Sequence, residues 1–108
     1  MDGIVIRLDL ERLADPDPEL RYRLPELLAE RSGKIILDDG YGYASDSGAL
    51  LVFLRTDSLE AALACILDVI ADVRVLGNDL RPGAVVAVAR SGGYDVVYPA
   101  DFQGLFAI

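Results

Sequence analysis

"KIILDDGYGYASDSGALLVFLRT", residues 34–56, carries two strand-forming runs around a turn, and the fold follows from reading it as a hairpin. Segments 34–45 and 49–56 are rich in apolar, β-branched and aromatic residues. The "SDSG" at 45–48 brings together residue types that favour turns for separate reasons: Asp and Ser side chains bond nearby backbone, and Gly tolerates tight geometry. Upstream, "GIVIRLDL" (3–10) sets Ile4, Ile6, Leu8 and Leu10 against Val5, Arg7 and Asp9, the period-two pattern of a half-buried strand. Downstream, Leu59, Leu63, Ile66, Ile70 and Val73 draw one apolar stripe along a helix, with Ala61, Ala64, Asp68 and Asp72 opposite. Asp57, three residues before Glu60, resembles a capping box at the start of that helix.

Between the first strand and the hairpin, residues 14–33 place Leu20, Leu24, Leu27 and Leu28 at helical spacing. Asp15 or Asp17 is available as N-cap and Gly33 as a stop. Pro25 has no N–H for an interior helical bond, so the expectation is a short turn and then a cleaner helix beginning near Pro25. "LGNDLRPG" (76–83) reads as a loop, and "AVVAVAR" (84–90) and "YDVVYP" (94–99) flank "SGG" as a second hairpin.

The resulting order, β-α-β-β-α-β-β, resembles the ferredoxin-like two-layer sandwich over residues 3–90. The resemblance implies an α+β fold with an antiparallel sheet of about four to five strands and both helices on one face. One strand departs from that pattern. "ALLVFLRT" is apolar on both sides, with Leu50, Val52 and Leu54 on one and Leu51 and Phe53 on the other. Something must therefore cover the second face. Two covers are open: the C-terminal tail with Leu105, Phe106 and Ile108, or a second copy of the chain packed sheet to sheet as a homodimer.

With 108 residues, 53% hydrophobic and 26% charged, the chain reads as a single folded domain over 1–108. Its formal net charge is −8, distributed as −3 over residues 1–33, −5 over 34–73 and 0 over 74–108. Such a charge repels phosphate backbones and steers cationic partners. The first strand also lacks the aromatic residues of base-stacking sheets, so nucleic-acid binding is not expected. Asp68, Asp72 and Arg74 interrupt the longest apolar segment, which argues against a membrane span. The start, "MDGIVIRLDL", has none of the features of an export signal, so a cytoplasmic location is expected.

There is no histidine, which removes the commonest general base and the usual transition-metal ligand. Phosphate-loop and dinucleotide-binding glycine patterns are absent as well. Cys65, among Ala61, Ala62, Ala64, Ile66 and Leu67, reads as a small buried helix residue. Ser45, Ser47 and Ser91 lack a base partner, and Asp38 and Asp39, as strand neighbours, point to opposite faces. Neither an enzymatic activity nor a cofactor or metal is expected.

Counting by two along their strands puts Tyr41 and Tyr43 on one face with Asp39, Leu37 and Ile35, and Tyr94 and Tyr98 on one face with Val96. These rings either shield the second face of the sheet or form a contact surface for a partner. The leading expectation is a small acidic protein-interaction domain that binds a cationic protein through Asp38, Asp39, Tyr41, Tyr43 and Asp46. In size, charge and fold type it is similar to the small acidic immunity and inhibitor proteins that neutralise basic toxins. The alternatives are a dimeric regulatory domain holding a small ligand through Asn78, Asp79 and Arg81, and a purely structural protein.

Overall fold

In a computed structural model, describing residues 1–103 and 106, the alternating first segment forms β1 (Asp2–Leu8) at the centre of a five-stranded antiparallel sheet. The other strands are β2 (Leu37–Tyr43), β3 (Leu50–Thr56), β6 (Ala84–Arg90) and β7 (Gly93–Tyr98), and the order across the sheet is β2-β3-β1-β6-β7. Two helices, α1 (Leu20–Arg31) and α2 (Leu59–Asp72), complete the α+β fold. The loop expected at 76–83 is partly ordered as a ribbon of β4 (Arg74–Val75) with β5 (Asn78–Asp79).

Ile4, Ile6 and Leu8 of β1 lie opposite Leu54, Val52 and Leu50 of β3, so the even-numbered positions of both strands share one face. On that face they form a single core with Leu20, Leu24 and Leu28 of α1 and Ala62, Ile66, Val69 and Ile70 of α2. The α2 stripe is thus rotated slightly from the expected one, with Leu59, Leu63 and Val73 at its margins. Cys65 is also marginal rather than fully buried, and what burial it has pushes its thiol pKa up.

Pro25 lies inside α1, which corrects the expectation of a helix starting there. A helix beginning at Pro25 would leave Leu20 and Leu24 outside the element that carries Leu28 to the core. Burying leucines is worth about 1.5–3 kcal/mol each, whereas an interior proline costs about 3 kcal/mol, so the longer helix wins. Its entry is tightened by short-turn bonds, with the Arg21 and Tyr22 amides donating to the Pro18 and Glu19 carbonyls. Asp17 bonds the Glu19 amide at 2.9 Å, one step ahead of the helix, and Glu19 occupies the cap position without a side-chain bond.

The capping box expected at Asp57 and Glu60 does not form, because Ser58 is the cap residue and makes no side-chain cap bond. Thr56 does the local work instead. Its buried hydroxyl donates to the Ile35 carbonyl at 2.8 Å and accepts from the Ser58 amide at 3.0 Å, tying the segment before β2 to the entry of α2.

Both edge strands carry a bulge, and each reverses the side-chain parity beyond it. In β2, Asp38 lies opposite Leu54 but Tyr41 lies opposite Val52, so Asp39 and Gly40 together face one residue, Phe53. In β7, Val96 lies opposite Ala87 but Tyr98 lies opposite Val86, which leaves Val97 extra. Period-two counting fails at both places. Tyr41 and Tyr43 share the helix side with Asp38, across the strand from Leu37, and not one face with Asp39, Leu37 and Ile35 as counting by two has it. Tyr98 packs against the helix-side core, and Tyr94 and Val96 remain on the second face. Bulges are common in edge strands because the extra residue twists the edge away from further pairing.

The second face is apolar as expected: Val5, Leu51, Ala44 and Ala49 are buried there, with Phe53, Tyr94 and Phe106 packed against them. Phe106 of the tail contributes to this cover, its ring 5.6 Å from Tyr94. Leu105 and Ile108, named above as part of the same cover, lie outside the described residues.

Candidate functional site

The β2 bulge turns two tyrosines toward α1, where a third meets them. Tyr22 and Tyr41 touch edge to face with ring centres 5.7 Å apart, and Tyr41 and Tyr43 do the same at 6.2 Å. All three stay wet, at 49%, 42% and 48% exposure for Tyr22, Tyr41 and Tyr43. Arg21 sits among them, its guanidinium carbon 4.8 Å from the Tyr22 ring centre and 5.3 Å from that of Tyr41. Hydrogen bonding by the Tyr43 side chain raises the Arg21 pKa, and the Tyr22 side chain likewise raises that of Tyr41. Arg21 therefore stays cationic and the Tyr41 phenol neutral. The Arg21 Nε is buried without a hydrogen-bond partner among the described residues, so the π faces are its principal company on that side.

The expected acids divide by position. Asp38 follows the same face as Tyr41 and Tyr43, and its Oδ1 accepts from the Gly40 amide at 2.9 Å, so the carboxylate also braces the bulge. Asp39 is within the bulge and exposed, and Asp46 is exposed in the turn between β2 and β3. The structure thus brings Asp38, Tyr41 and Tyr43 to one face, adds Tyr22 and Arg21, and leaves Asp46 in the turn beyond Tyr43. Nothing local in "LRYRL" (20–24) signals the role of Arg21 and Tyr22, because it exists only where α1 passes beside a bulged β2.

Asn78, Asp79 and Arg81 lie elsewhere, at the small ribbon. Asn78 is fully buried, and its amide is already occupied. Its Oδ1 accepts from the Asp15 amide at 2.7 Å, and its Nδ2 donates to the carbonyls of Asp15 at 2.7 Å and Val75 at 3.2 Å. It therefore pins the loop before α1 to the ribbon. Asp79 and Arg81 form a forked ion pair, with Nε to Oδ1 at 2.9 Å and Nη2 to Oδ2 at 2.7 Å. That hydrogen bonding from Arg81 lowers the Asp79 pKa to about 2. The pair borders a shallow depression of about 160 Å³ that Asp72 and Arg74 also line.

No family model, curated protein or solved structure matches this chain. Among the described residues no three His, Cys, Asp or Glu side chains converge to hold a metal ion, and no helix is long and apolar enough to cross a membrane. Ser45, Ser47 and Ser91 are exposed in turns, and Ser47 Oγ accepts from the Ala49 amide at 3.3 Å, a bond that shapes the turn.

Proposed function

We propose that the chain is a non-enzymatic, cytoplasmic protein-interaction domain that holds a cationic protein along the β2 edge, in the manner of small acidic inhibitor or immunity proteins. The observation that carries this reading is the row of three exposed tyrosines, packed in sequence, with Asp38 on the same face and the exposed Asp39 in the adjoining bulge. Tyrosine buries a large ring at little entropic cost, and rings already held by edge-to-face contact and by Arg21 lose less freedom on binding than free ones. A lysine or arginine of the partner would find ring faces and carboxylates together. The charge of −5 over residues 34–73 would draw it in.

The same reading takes the fold as ferredoxin-like. It is supported by the order β2-β3-β1-β6, with β7 added outside β6, and by the packing of both helices on one sheet face.

The test begins with wild-type protein and the Tyr41→Ala/Tyr43→Ala double variant as parallel baits. Any partner identified is then purified and titrated by calorimetry at low and high salt. A basic partner is expected, with affinity falling steeply with salt and by about tenfold or more in the double variant. Affinity indifferent to both salt and the double substitution would remove the reading.

A homodimer through the second sheet face is the second reading, favoured by the partly exposed Phe53 and Tyr94 at the border of its apolar cluster. Sedimentation equilibrium at high concentration decides it: the mass of a single chain would exclude the dimer.

A further inference from the structure

A cleft of about 280 Å³ opens at the end of the second sheet face, where β1 and β6 meet the loop before β6. Its lining is unusual for a chain of net charge −8, because Arg7, Arg12 and Arg81 converge on it and Asp9 is its only carboxylate among the described residues. Asp9 is already engaged, with Oδ1 accepting from the Glu11 amide at 3.2 Å and Oδ2 lying 3.3 Å from Arg12 Nε. Arg81 is held by its fork to Asp79. Arg7 has no carboxylate partner among the described residues. Its guanidinium carbon lies 5.8 Å from the ring centre of Phe102 and 4.9 Å from that of Phe106, which places the cation without neutralising it.

We infer that this cleft binds a small phosphate monoester, the phosphate held by Arg7, Arg12 and Arg81 and the organic part lying against Phe102, Pro82 and Pro99. The three guanidiniums come from three different segments: β1, the 3-10 turn at Leu10–Arg12, and the loop after β5. A tetrahedral phosphate presents oxygens in three directions to meet them, while a planar carboxylate presents two. Guanidinium forks suit phosphate oxygens in particular. Beyond contact range the net negative charge opposes any anion, but screening confines that repulsion to a Debye length of about 10 Å at 0.1 M salt. Inside the cleft Arg7 supplies the positive charge that no carboxylate among the described residues offsets, and Arg12 and Arg81 add the N–H donors that Asp9 and Asp79 leave free. Ligand clefts usually span roughly 300–1,000 Å³, so this one suits a ligand of a single small ring rather than a dinucleotide.

The inference is independent of the β2 surface and is tested on the intact chain by calorimetry and amide NMR, with phenyl phosphate, inorganic phosphate, benzoate and phenol as test ligands. Phenyl phosphate is expected to bind saturably, shift the amides of Gly83, Ala84 and Val85, and bind about tenfold or more tighter than benzoate. Inorganic phosphate should bind more weakly at the same amides. Arg7→Gln and Arg81→Gln should each weaken phenyl phosphate binding by about tenfold or more. Arg81 is exposed, so that variant keeps the test valid if Arg7→Gln disturbs the packing of Phe102 and Phe106. Absence of saturable binding, benzoate or phenol binding as tightly as phenyl phosphate, or indifference to Arg81→Gln would each overturn the assignment.

Discussion

Tyr41 stands opposite Val52 in the β2–β3 ladder, one place away from where the pairing of Asp38 with Leu54 would put it. That single extra residue turns Tyr41 and Tyr43 from the second sheet face to the side of α1, where Tyr22 and Arg21 receive them. The candidate surface depends on the bulge, and the bulge depends on Gly40, whose φ of 98° is costly for a residue with a side chain.

Gly40→Val is expected to destabilise the fold by about 1–2 kcal/mol through backbone strain. Gly42, two residues on, does not have a positive φ, and a Cβ there would meet Phe53 at an ordinary 3.6 Å. Gly42→Ala should therefore be neutral or stabilise by up to about 1 kcal/mol through reduced freedom of the unfolded chain. Urea denaturation of both variants checks the contrast, and equal losses at the two positions would count against the bulge as the cause.

Asn78→Ala should cost about 1–3 kcal/mol, because it leaves the Asp15 amide without its acceptor and removes one of the two donors to the Asp15 carbonyl, the Asp17 amide at 2.7 Å being the other. Asn78→Asp retains an acceptor for the Asp15 amide but sets a buried carboxylate against the Asp15 and Val75 carbonyls. At neutral pH it should be at least as damaging as the alanine variant. The check is the denaturant midpoint at constant m-value, and a midpoint unmoved in both variants would show that the loop before α1 is held by other means.

Thr56→Val keeps the shape of the side chain and removes its hydroxyl. The Ile35 carbonyl and the Ser58 amide each lose a bond, for an expected loss of about 1–3 kcal/mol. Hydrogen exchange should localise the effect to the Ser58 amide and the first turn of α2, and an unchanged exchange rate there would argue that water replaces the hydroxyl without cost.

The forked pair of Asp79 and Arg81 makes a prediction about acid. Asp79 titrates at about 2 when folded and near the usual carboxylate value when unfolded, so its depressed pKa adds stability that is present in full above the unfolded pKa. That contribution falls away as pH drops through the interval between the two values and is gone below about pH 2. The stability difference between wild type and Asp79→Asn should follow the same course. A carboxyl NMR titration of Asp79 with a midpoint near 4 would contradict it.

Much of the fold is legible along the chain. The alternation of Ile4, Ile6 and Leu8, the stripe through Ile66 and Ile70 and the turn chemistry of "SDSG" are relations between near neighbours, and the structure contains the corresponding strand, helix and hairpin. The two-sided apolarity of β3 likewise signals a sheet covered on both faces, and Phe106 is found on the second. The misreadings come from local rules outvoted by distant contacts. Pro25 argues for a helix end, yet the core needs Leu20, Leu24 and Leu28 on one rod. Asp57 and Glu60 suggest a cap, yet Thr56 is the side chain with a partner across the fold.

The candidate surface was legible in its residue types and not in its geometry. Tyrosines and acids at 38–46 are visible in the chain, because composition needs no partner. Which face they occupy is a property of pairing: parity is kept only while every residue has an opposite number, and the extra residues in β2 and β7 become apparent only against β3 and β6. The gathering of Arg21 with Tyr22 and Tyr41, the hold of Asn78 on Asp15 across the fold and the meeting of Arg7, Arg12 and Arg81 have the same origin. Neighbours along the chain set periodicity, cap and turn. The closing of the sheet, driven by burial of its apolar faces, selects which side chains meet.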